Sequence, residues 1–436
     1  MSHHVTSADI PAHGEHLDPA KVGKVKAATG ILAVLGFLVS LYLLYFAGEY
    51  TRGCYAYSWL FAFFYFFTLT VGGCFWMLLH NVSNSSWGTS VRRTMENLAS
   101  VFPWMILFAL PLACPQVQQY LYEWMNIHRS AGNEPLKEFL YHNYHLLHEK
   151  MWYLNLPFWY GRFLFFFAGL GSVIYFLRRL STDQDTDPHP GTRRLFLARR
   201  HSTWTLIIFA ITITFAGFDF LMGLDYTWFS TMWGVYLFAG SALNGMAVLI
   251  ITVTLLQRAG YLRKVVNGEH FHIMGKLLFA FTVFWAYISF SQYFLIWYSN
   301  QTEETKYFLI RNTGNWNTAS ICLVFGHFGL PFVVLLQQWL KRKPVILSCV
   351  GLYMLILHAL DIYLIVMPER GISLGNIKPE VFGPIQVSIP GAFWGDIFAF
   401  VTVGCGFVFL YLRALGQHSL FPNRDPRILE SANISN

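Results

Sequence analysis

Five ionisable residues of this sequence lie inside apolar stretches that are long enough to cross a lipid bilayer. A titratable side chain is costly in such a place, so each of the five needs a functional or structural reason. Two of them, His358 and Asp361, are three positions apart, and on a helix their side chains can meet. A carboxylate beside an imidazole can exchange a proton with it, so the expected chemistry is proton transfer. The five residues are Asp219, His327, His358, Asp361 and Asp396.

The composition places these residues in a membrane protein. Apolar residues make up 55% of the 436 positions and charged residues only 12%. A helix of about 20 apolar residues, rising about 1.5 Å per residue, covers a hydrocarbon core of about 30 Å. We therefore predict an all-α polytopic membrane protein with ten transmembrane helices. The predicted spans 1 to 10 are residues 27–46, 55–79, 98–122, 152–177, 204–224, 228–256, 274–298, 318–340, 345–367 and 393–415.

The distribution of Lys and Arg predicts the orientation of these spans. Most of the 30 basic residues fall in the two terminal tails and in every second loop, while the opposite loops, with Arg162 counted among them, hold fewer. By the positive-inside rule, both termini are cytoplasmic. The domains are then an N-terminal tail (1–26), which we expect to be flexible, a membrane domain (27–415) and a C-terminal tail (416–436). The net charge of +7 indicates contact with anionic lipid and not with nucleic acid.

Two spans carry a similar short string around an Asp. Phe-Asp-Phe-Leu surrounds Asp219 in span 5, and Leu-Asp-Ile-Tyr-Leu surrounds Asp361 in span 9. Spans 2–5 and 6–9 are therefore predicted to form two four-helix bundles of the same orientation, with spans 1 and 10 flanking them. Threading the spans in order places the ionisable residues in the outer half of the membrane. A chance match of two short strings is the alternative.

Redox centres held by this chain's own ligands are not predicted. The six Cys are scattered and form no CxxC or CxxCH motif, which argues against iron–sulfur ligation and c-type haem. Of the two long outer loops, 123–151 carries His142, His145 and His148, which would share one helical face. That face could bind a metal or dock a partner, and the sequence leaves both open. The second loop, 368–391, is rich in Gly and Pro and is expected to form an irregular lid or docking surface.

Several strings of residues resemble the NrfD/polysulfide-reductase family of membrane anchors. That family has Asp-x-Met/Leu, then Trp-x-Ser-Thr and Gly-x-Tyr across a helix hairpin. Here GFDFLM occupies 217–222 and DYTWFSTMWGVY occupies 225–236, while HFGLPF at 327–332 and DIY at 361–363 look like its later helices. Ten spans are similar to the two large membrane subunits of bacterial alternative complex III. Trp87 and the stretch 91–96 look most like the F-type subunit.

The resemblance implies a membrane subunit of a quinol:electron-acceptor (cytochrome c type) oxidoreductase in a bacterial inner membrane. Such a subunit is not expected to be catalytic alone. Its partners would be a paralogous quinol-binding membrane subunit, iron–sulfur and c-type haem subunits, and lipids, with menaquinol or quinone as a possible ligand. Alternatives are a secondary transporter and a membrane anchor of a polysulfide- or molybdopterin-type reductase. The candidates for proton transfer or for a quinone pocket are Asp219, Asp225, His327, His358, Asp361 and Asp396.

Overall fold

The computed structural model describes residues 4–132, 135–374 and 392–435. Ten of its helical segments are long and apolar enough to cross a membrane, and no strand occurs within these ranges. Helices suit a bilayer because they satisfy their own backbone hydrogen bonds. The prediction of an all-helical, multi-pass membrane protein is confirmed. The segments are α1 Pro19–Tyr45, α2 Glu49–Ser83, α3 Arg92–Ala113, α4 Leu156–Thr186, α5 Arg193–Leu224, α6 Trp233–Arg258, α7 Gly268–Ser299, α8 Asn315–Leu336, α9 Pro344–Leu374 and α10 Ala392–Leu415.

Helices α2 and α6 form the centre of the protein. Nearly all of the apolar part of both helices is buried, whereas α1 and α8 are largely exposed. α2 packs against α5, α9 and α10 as well as α6. The two central helices cross at Gly72 and Gly245, where a Cβ on Gly72 would lie 2.1 Å from the carbonyl oxygen of Ser241. Only glycine permits this approach of two backbones.

Two of the ten spans contain a π-helical segment, which the sequence did not predict. In α4 the segment is Phe165–Leu170, and in α8 it is Leu323–Gly329. A π segment shifts which residues face the neighbouring helices, and such segments often lie at functional sites. One of the candidate residues, His327, lies inside the second segment. The bulge therefore determines where this imidazole points.

Both terminal segments pack at one end of the helices. The backbone N–H of Leu420 donates to the carbonyl of Glu15 at 2.7 Å, and the N–H of Val5 donates to Asn433 Oδ1 at 2.8 Å. The expectation of a flexible N-terminal tail is therefore wrong for the described residues from position 4 onward. The cause is a set of specific hydrogen bonds between residues far apart in the sequence, which composition does not reveal.

Both predicted long loops contain helical residues. The first contains three short helices, Glu123–Ser130, Leu136–Asn143 and His145–Lys150. The second was expected to begin at residue 368, but α9 continues through Pro368 to Leu374, so this part of the lid prediction is wrong. A proline lacks an N–H but does not always end a helix when neighbouring helices pack around it. Residues 375–391 of the predicted loop lie outside the described residues.

Candidate proton-transfer site

Asp219 forms a buried ion pair with Arg162. The carboxylate lies near the end of α5, and Arg162 lies in α4 just before its π segment. Arg162 Nε donates to Oδ2 and Nη2 donates to Oδ1, both at 2.7 Å. The Tyr153 hydroxyl adds a hydrogen bond to Oδ1 at 3.2 Å. A two-pronged bond of this kind occupies both oxygens of the carboxylate, and the Arg partner favours its charged form.

Asp396 is paired in the same way with Arg370. The guanidinium reaches from α9, with Nη1 at 2.7 Å from Oδ1 and Nη2 at 3.3 Å from Oδ2. Ser58 Oγ donates to Oδ1 at 2.5 Å, and the Tyr363 hydroxyl donates to Oδ2 at 3.1 Å. We refer to Asp219–Arg162 and Asp396–Arg370 as the closed pairs.

Asp225 lies in the link between α5 and α6 and not inside a span. Its Oδ1 accepts hydrogen bonds from the N–H of Thr227 at 2.9 Å and from the hydroxyl of the same residue at 2.5 Å. Lys306 Nζ lies 3.3 Å from Oδ2. These contacts stabilise a turn near the surface. The carboxylate also borders the narrow cavity described below.

Asp361 has a different environment from the closed pairs. Among the buried carboxylates of the spans that the structure describes, it is the one without an Arg or Lys within ion-pair distance. The Tyr236 hydroxyl donates to Oδ1, and His358 Nδ1 lies 3.8 Å from Oδ2. The carboxyl group therefore lies between a phenol and an imidazole.

Hydrogen bonds on the far side of His358 define its tautomer. Its Nε2 lies 2.8 Å from Thr68 Oγ1, and the Thr68 hydroxyl already donates to the carbonyl of Tyr65 at 2.6 Å. Because a hydroxyl has one proton, Thr68 must accept from His358, which puts the imidazole proton on Nε2. In the neutral ring, Nδ1 is then the unprotonated nitrogen, and this is the atom that faces Asp361.

His327 completes this cluster from the π segment of α8. The imidazole is fully buried, and neither ring nitrogen has a hydrogen-bond partner among the described residues. Its ring meets the Trp285 ring edge-on, with the centroids 4.2 Å apart. Asp361 and His358 are titratable groups near this imidazole. We call the set Thr68, Tyr236, Trp285, His327, His358 and Asp361 the Asp361 site.

A glycine keeps this site open on the side of α6. A Cβ on Gly240 would lie 3.4 Å from His358 Cε1 and 3.7 Å from Trp285 Cδ1. A larger side chain would occupy the space between the His358 imidazole and the Trp285 indole.

A narrow cavity lies beside the link between α5 and α6, and Ile365 in its wall is one helical turn from Asp361. Two stacked rings, Trp228 and Tyr307, lie 4.1 Å apart in its wall, and Trp233 stacks at 5.6 Å on Tyr236, which binds Asp361. The cavity offers about 10 Å³ to water-sized molecules, roughly the space of one water. It is much too small for a quinone ring. It is lined by Leu221, Met222, Leu224, Asp225, Trp228, Trp233, Tyr307, Arg311, Ile365 and Glu369.

The three loop histidines do not share one helical face. The helix breaks at Tyr144, whose backbone φ of −143° is not helical, so His142 lies in one short helix while His145 and His148 lie in the next. No group of three potential metal ligands occurs in the part of the chain that the structure describes. The metal interpretation therefore gains no support, and partner docking stays a prediction.

The sequence did not predict a second charged network, which lies at the opposite end of the helices from the narrow cavity. Arg92 Nη1 lies 2.7 Å from Asp425 Oδ2, and Arg93 Nη2 lies 2.5 Å from Asp185 Oδ2. Burial alone would raise the pKa of Asp425, but hydrogen bonds from Arg427 and the nearby Arg charges hold it at about 2. The sequence showed these arginines as topology signals, yet their partners come from distant segments. The network anchors the C-terminal segment.

The fold and the site define the class: an all-helical, multi-pass membrane protein. Among its described residues, Asp361 and His358 form a buried carboxylate–imidazole site with no Arg or Lys within ion-pair distance. Comparison with protein-family models and with curated proteins finds no match for this chain. The family resemblance of its motifs is therefore an expectation, and what it implies belongs to the proposal below.

Proposed function

We propose that this chain is a membrane subunit of a bacterial inner-membrane quinol:electron-acceptor oxidoreductase, similar to the F-type subunit of alternative complex III, and that its Asp361 site handles protons for that complex. The family part rests on the motifs at 217–236, 327–332 and 361–363. The proton part rests on one observation: Asp361 lacks the Arg partner that occupies Asp219 and Asp396. An ion pair with Arg holds a fixed charge, whereas a carboxyl between a phenol and an imidazole can change its protonation.

The atoms of the site support a simple transfer. When Asp361 carries a proton on Oδ2, that proton faces the unprotonated Nδ1 of His358, 3.8 Å away. Tyr236 stays bonded to Oδ1 and holds the carboxyl in place. Thr68 can accept the hydrogen bond from Nε2 whether the ring is neutral or charged. A small movement that shortens the Nδ1–Oδ2 distance is sufficient for the proton to cross.

The topology that goes with this proposal has both termini in the cytoplasm and two four-helix bundles, α2–α5 and α6–α9. In each group the first helix contacts the second and the fourth, and the third helix carries the π segment. These matching features support the predicted repeat. In it, the first bundle carries the Asp219–Arg162 pair, while the second carries Asp361 with His327 and His358. The narrow cavity then opens toward the periplasm.

Proton handling fits this chain better than a quinone pocket does. The cavity beside Tyr236 has room for about one water, whereas pockets for small ligands usually measure about 300–1,000 Å³. Quinol oxidation is then assigned to the paralogous membrane subunit, and electron transfer to the iron–sulfur and c-type haem subunits. This chain would contribute to the path by which protons leave the quinol site or cross the membrane.

The test uses Asp361→Asn in the assembled complex, reconstituted in liposomes with quinol and an electron acceptor. Asn keeps the size of the side chain and the bond from Tyr236 but cannot carry the proton. We expect proton release, or turnover if the two are tightly coupled, to fall at least about tenfold. The matched control is Asp183→Asn, which removes an exposed carboxylate that lies 3.7 Å from Arg179, away from the cavity, and should leave both rates nearly unchanged.

Two results would reject the proposal. One is wild-type turnover and proton stoichiometry in an Asp361→Asn complex that contains all its subunits. The other is uptake of a solute into liposomes by the chain alone, which would favour the transporter alternative. Assembly is checked by co-purification, so that a loss of activity is not confused with a loss of subunits.

A further inference from the structure

A basic pocket lies at the end of the helices where the termini gather, far from the Asp361 site along α9. It has a volume of about 320 Å³, within the range of about 300–1,000 Å³ that is typical of ligand pockets. The nearby bond from Lys21 Nζ to the carbonyl of Ala259 shows that it lies at the level of the N-terminal segment. The lining residues are Thr254, Gln257, Arg258, Arg263, Pro344 and Val345.

The pocket presents unused positive charge. Arg258 makes no hydrogen bond or ion pair with any part of the chain that the structure describes, and Arg263 uses only Nε, which donates to the carbonyl of Gln257 at 3.1 Å. None of the lining residues is acidic. Two guanidinium groups with free N–H donors form a binding site for an oxyanion such as phosphate.

An apolar stripe begins at the same pocket. Val345 lines the pocket and is 46% exposed, and Leu352 and Ile356, seven and eleven positions further along α9, are 56% and 60% exposed. These spacings put the three side chains on one face of the helix, and exposed Cys349 lies between them. Because α9 is a span, this face lies against the hydrocarbon chains of lipid. The anion pocket thus continues directly into a lipid-facing surface.

We propose that this pocket binds the phosphate of an anionic phospholipid whose acyl chain lies along Val345, Leu352 and Ile356. A basic pocket between transmembrane helices is the usual recognition mode for such headgroups. A soluble anion would use the arginines but not the stripe. The combination of both features therefore favours a lipid over free phosphate.

The experiment measures lipid binding to the full chain, purified in a neutral detergent, by native mass spectrometry. The probes are phosphatidylglycerol, phosphatidylcholine and inorganic phosphate. Each Arg near an anionic headgroup contributes about 1 kcal/mol, so Arg258→Gln/Arg263→Gln should weaken phosphatidylglycerol binding about 30-fold. Arg258→Gln alone should weaken it about fivefold. The control, Arg199→Gln/Arg200→Gln, makes the same charge change at exposed positions near the start of α5 and should have little effect.

A third variant, Leu352→Asn, tests the apolar stripe. It should weaken the binding of phosphatidylglycerol without changing the binding of inorganic phosphate. The proposal is overturned if the pocket variants bind phosphatidylglycerol as the wild type does, or if the control pair weakens it equally. It is also overturned if inorganic phosphate binds as tightly as the lipid, because the site would then serve a soluble anion. The substituted side chains are exposed, so the variants should melt like the wild type.

Discussion

Replacing Arg162 by Met tests whether Asp219 is held as a charged group. Met keeps much of the length and the apolar stem but removes both hydrogen bonds to Asp219, each 2.7 Å long, and a third bond to the carbonyl of Tyr153 at 3.0 Å. Removing one partner of a buried ion pair costs about 3–5 kcal/mol of unfolding free energy, because the remaining charge has no compensation. The Tyr153 hydroxyl still donates to Oδ1, so we expect a loss near the lower limit, about 3 kcal/mol.

The double variant Arg162→Met/Asp219→Leu separates charge from packing. With both charges gone, no unpaired charge remains in the apolar interior, and the stability should return to within about 1 kcal/mol of the wild type. The assay is unfolding of the purified chain with a denaturing detergent. Arg179→Met is the control, since that arginine lies 3.7 Å from Asp183 in an exposed pair, and such pairs contribute less than about 1 kcal/mol.

Two outcomes would refute this reasoning. If Arg162→Met cost no more than Arg179→Met, Asp219 would not carry a charge that needs a partner, and the contrast between the closed pairs and Asp361 would lose its basis. If the double variant were as unstable as the single one, the effect would come from lost packing against the rings of Tyr153 and Phe158, which lie 3.9 and 4.3 Å from the guanidinium.

Three further changes test other contacts. Gly72→Ala puts a Cβ 2.1 Å from a carbonyl oxygen of α6 and should lower the unfolding free energy by about 1–3 kcal/mol. The control Gly23→Ala meets nothing within 4 Å and should not lower it. Equal melting of the two variants would contradict the close crossing of α2 and α6. The folded-state pKa of Asp425, about 2, lies below its unfolded value of about 3.9. The stabilisation that this carboxylate gives the fold, about 2 kcal/mol, is complete above about pH 4 and is lost as the pH falls through about 2. The melting temperature of the wild type should therefore fall more over that range than the melting temperature of Asp425→Asn. Parallel curves of melting temperature against pH would contradict the anchoring role of the Asp425 network. Thr68→Val should change the rate and pH profile of proton release. The control Thr70→Val should not change them, because the Thr70 hydroxyl bonds only to a backbone carbonyl. Identical pH profiles for the two variants would show that Thr68 is not part of the Asp361 site.

The sequence predicts the spans well because the signal is local. Length and apolar content alone define a membrane helix, and the ten predicted spans correspond in order to the ten observed helical segments. The i, i+3 pair His358 and Asp361 was also predictable, because both residues lie on one helix. Local sequence contains what is needed for both inferences.

The partners of the other carboxylates were not predictable in this way. Arg370 was placed in an irregular loop because Pro368 precedes it, and only the continued helix brings it to Asp396. Arg162 was counted as a loop cation, since its distance from Asp219 depends on how α4 and α5 pack. The π segment that contains His327 has no recognisable local signal. These features depend on contacts between distant segments.

The buried carboxylates have different partners, and this difference is the physical basis of the proposal that one site exchanges protons while the others do not. In a closed pair, adding a proton to the carboxylate leaves an unpaired Arg charge in the apolar interior, so each closed pair resists protonation. At Asp361, moving one proton to His358 converts a neutral pair into an ion pair without changing the net charge of the site. Only the entry or exit of a proton changes that net charge. The cavity beside Tyr236 has room for a water molecule that would carry this proton. In the proposed function, the closed pairs hold the helices in place around the Asp361 site, and Asp361 and His358 take up and release the proton.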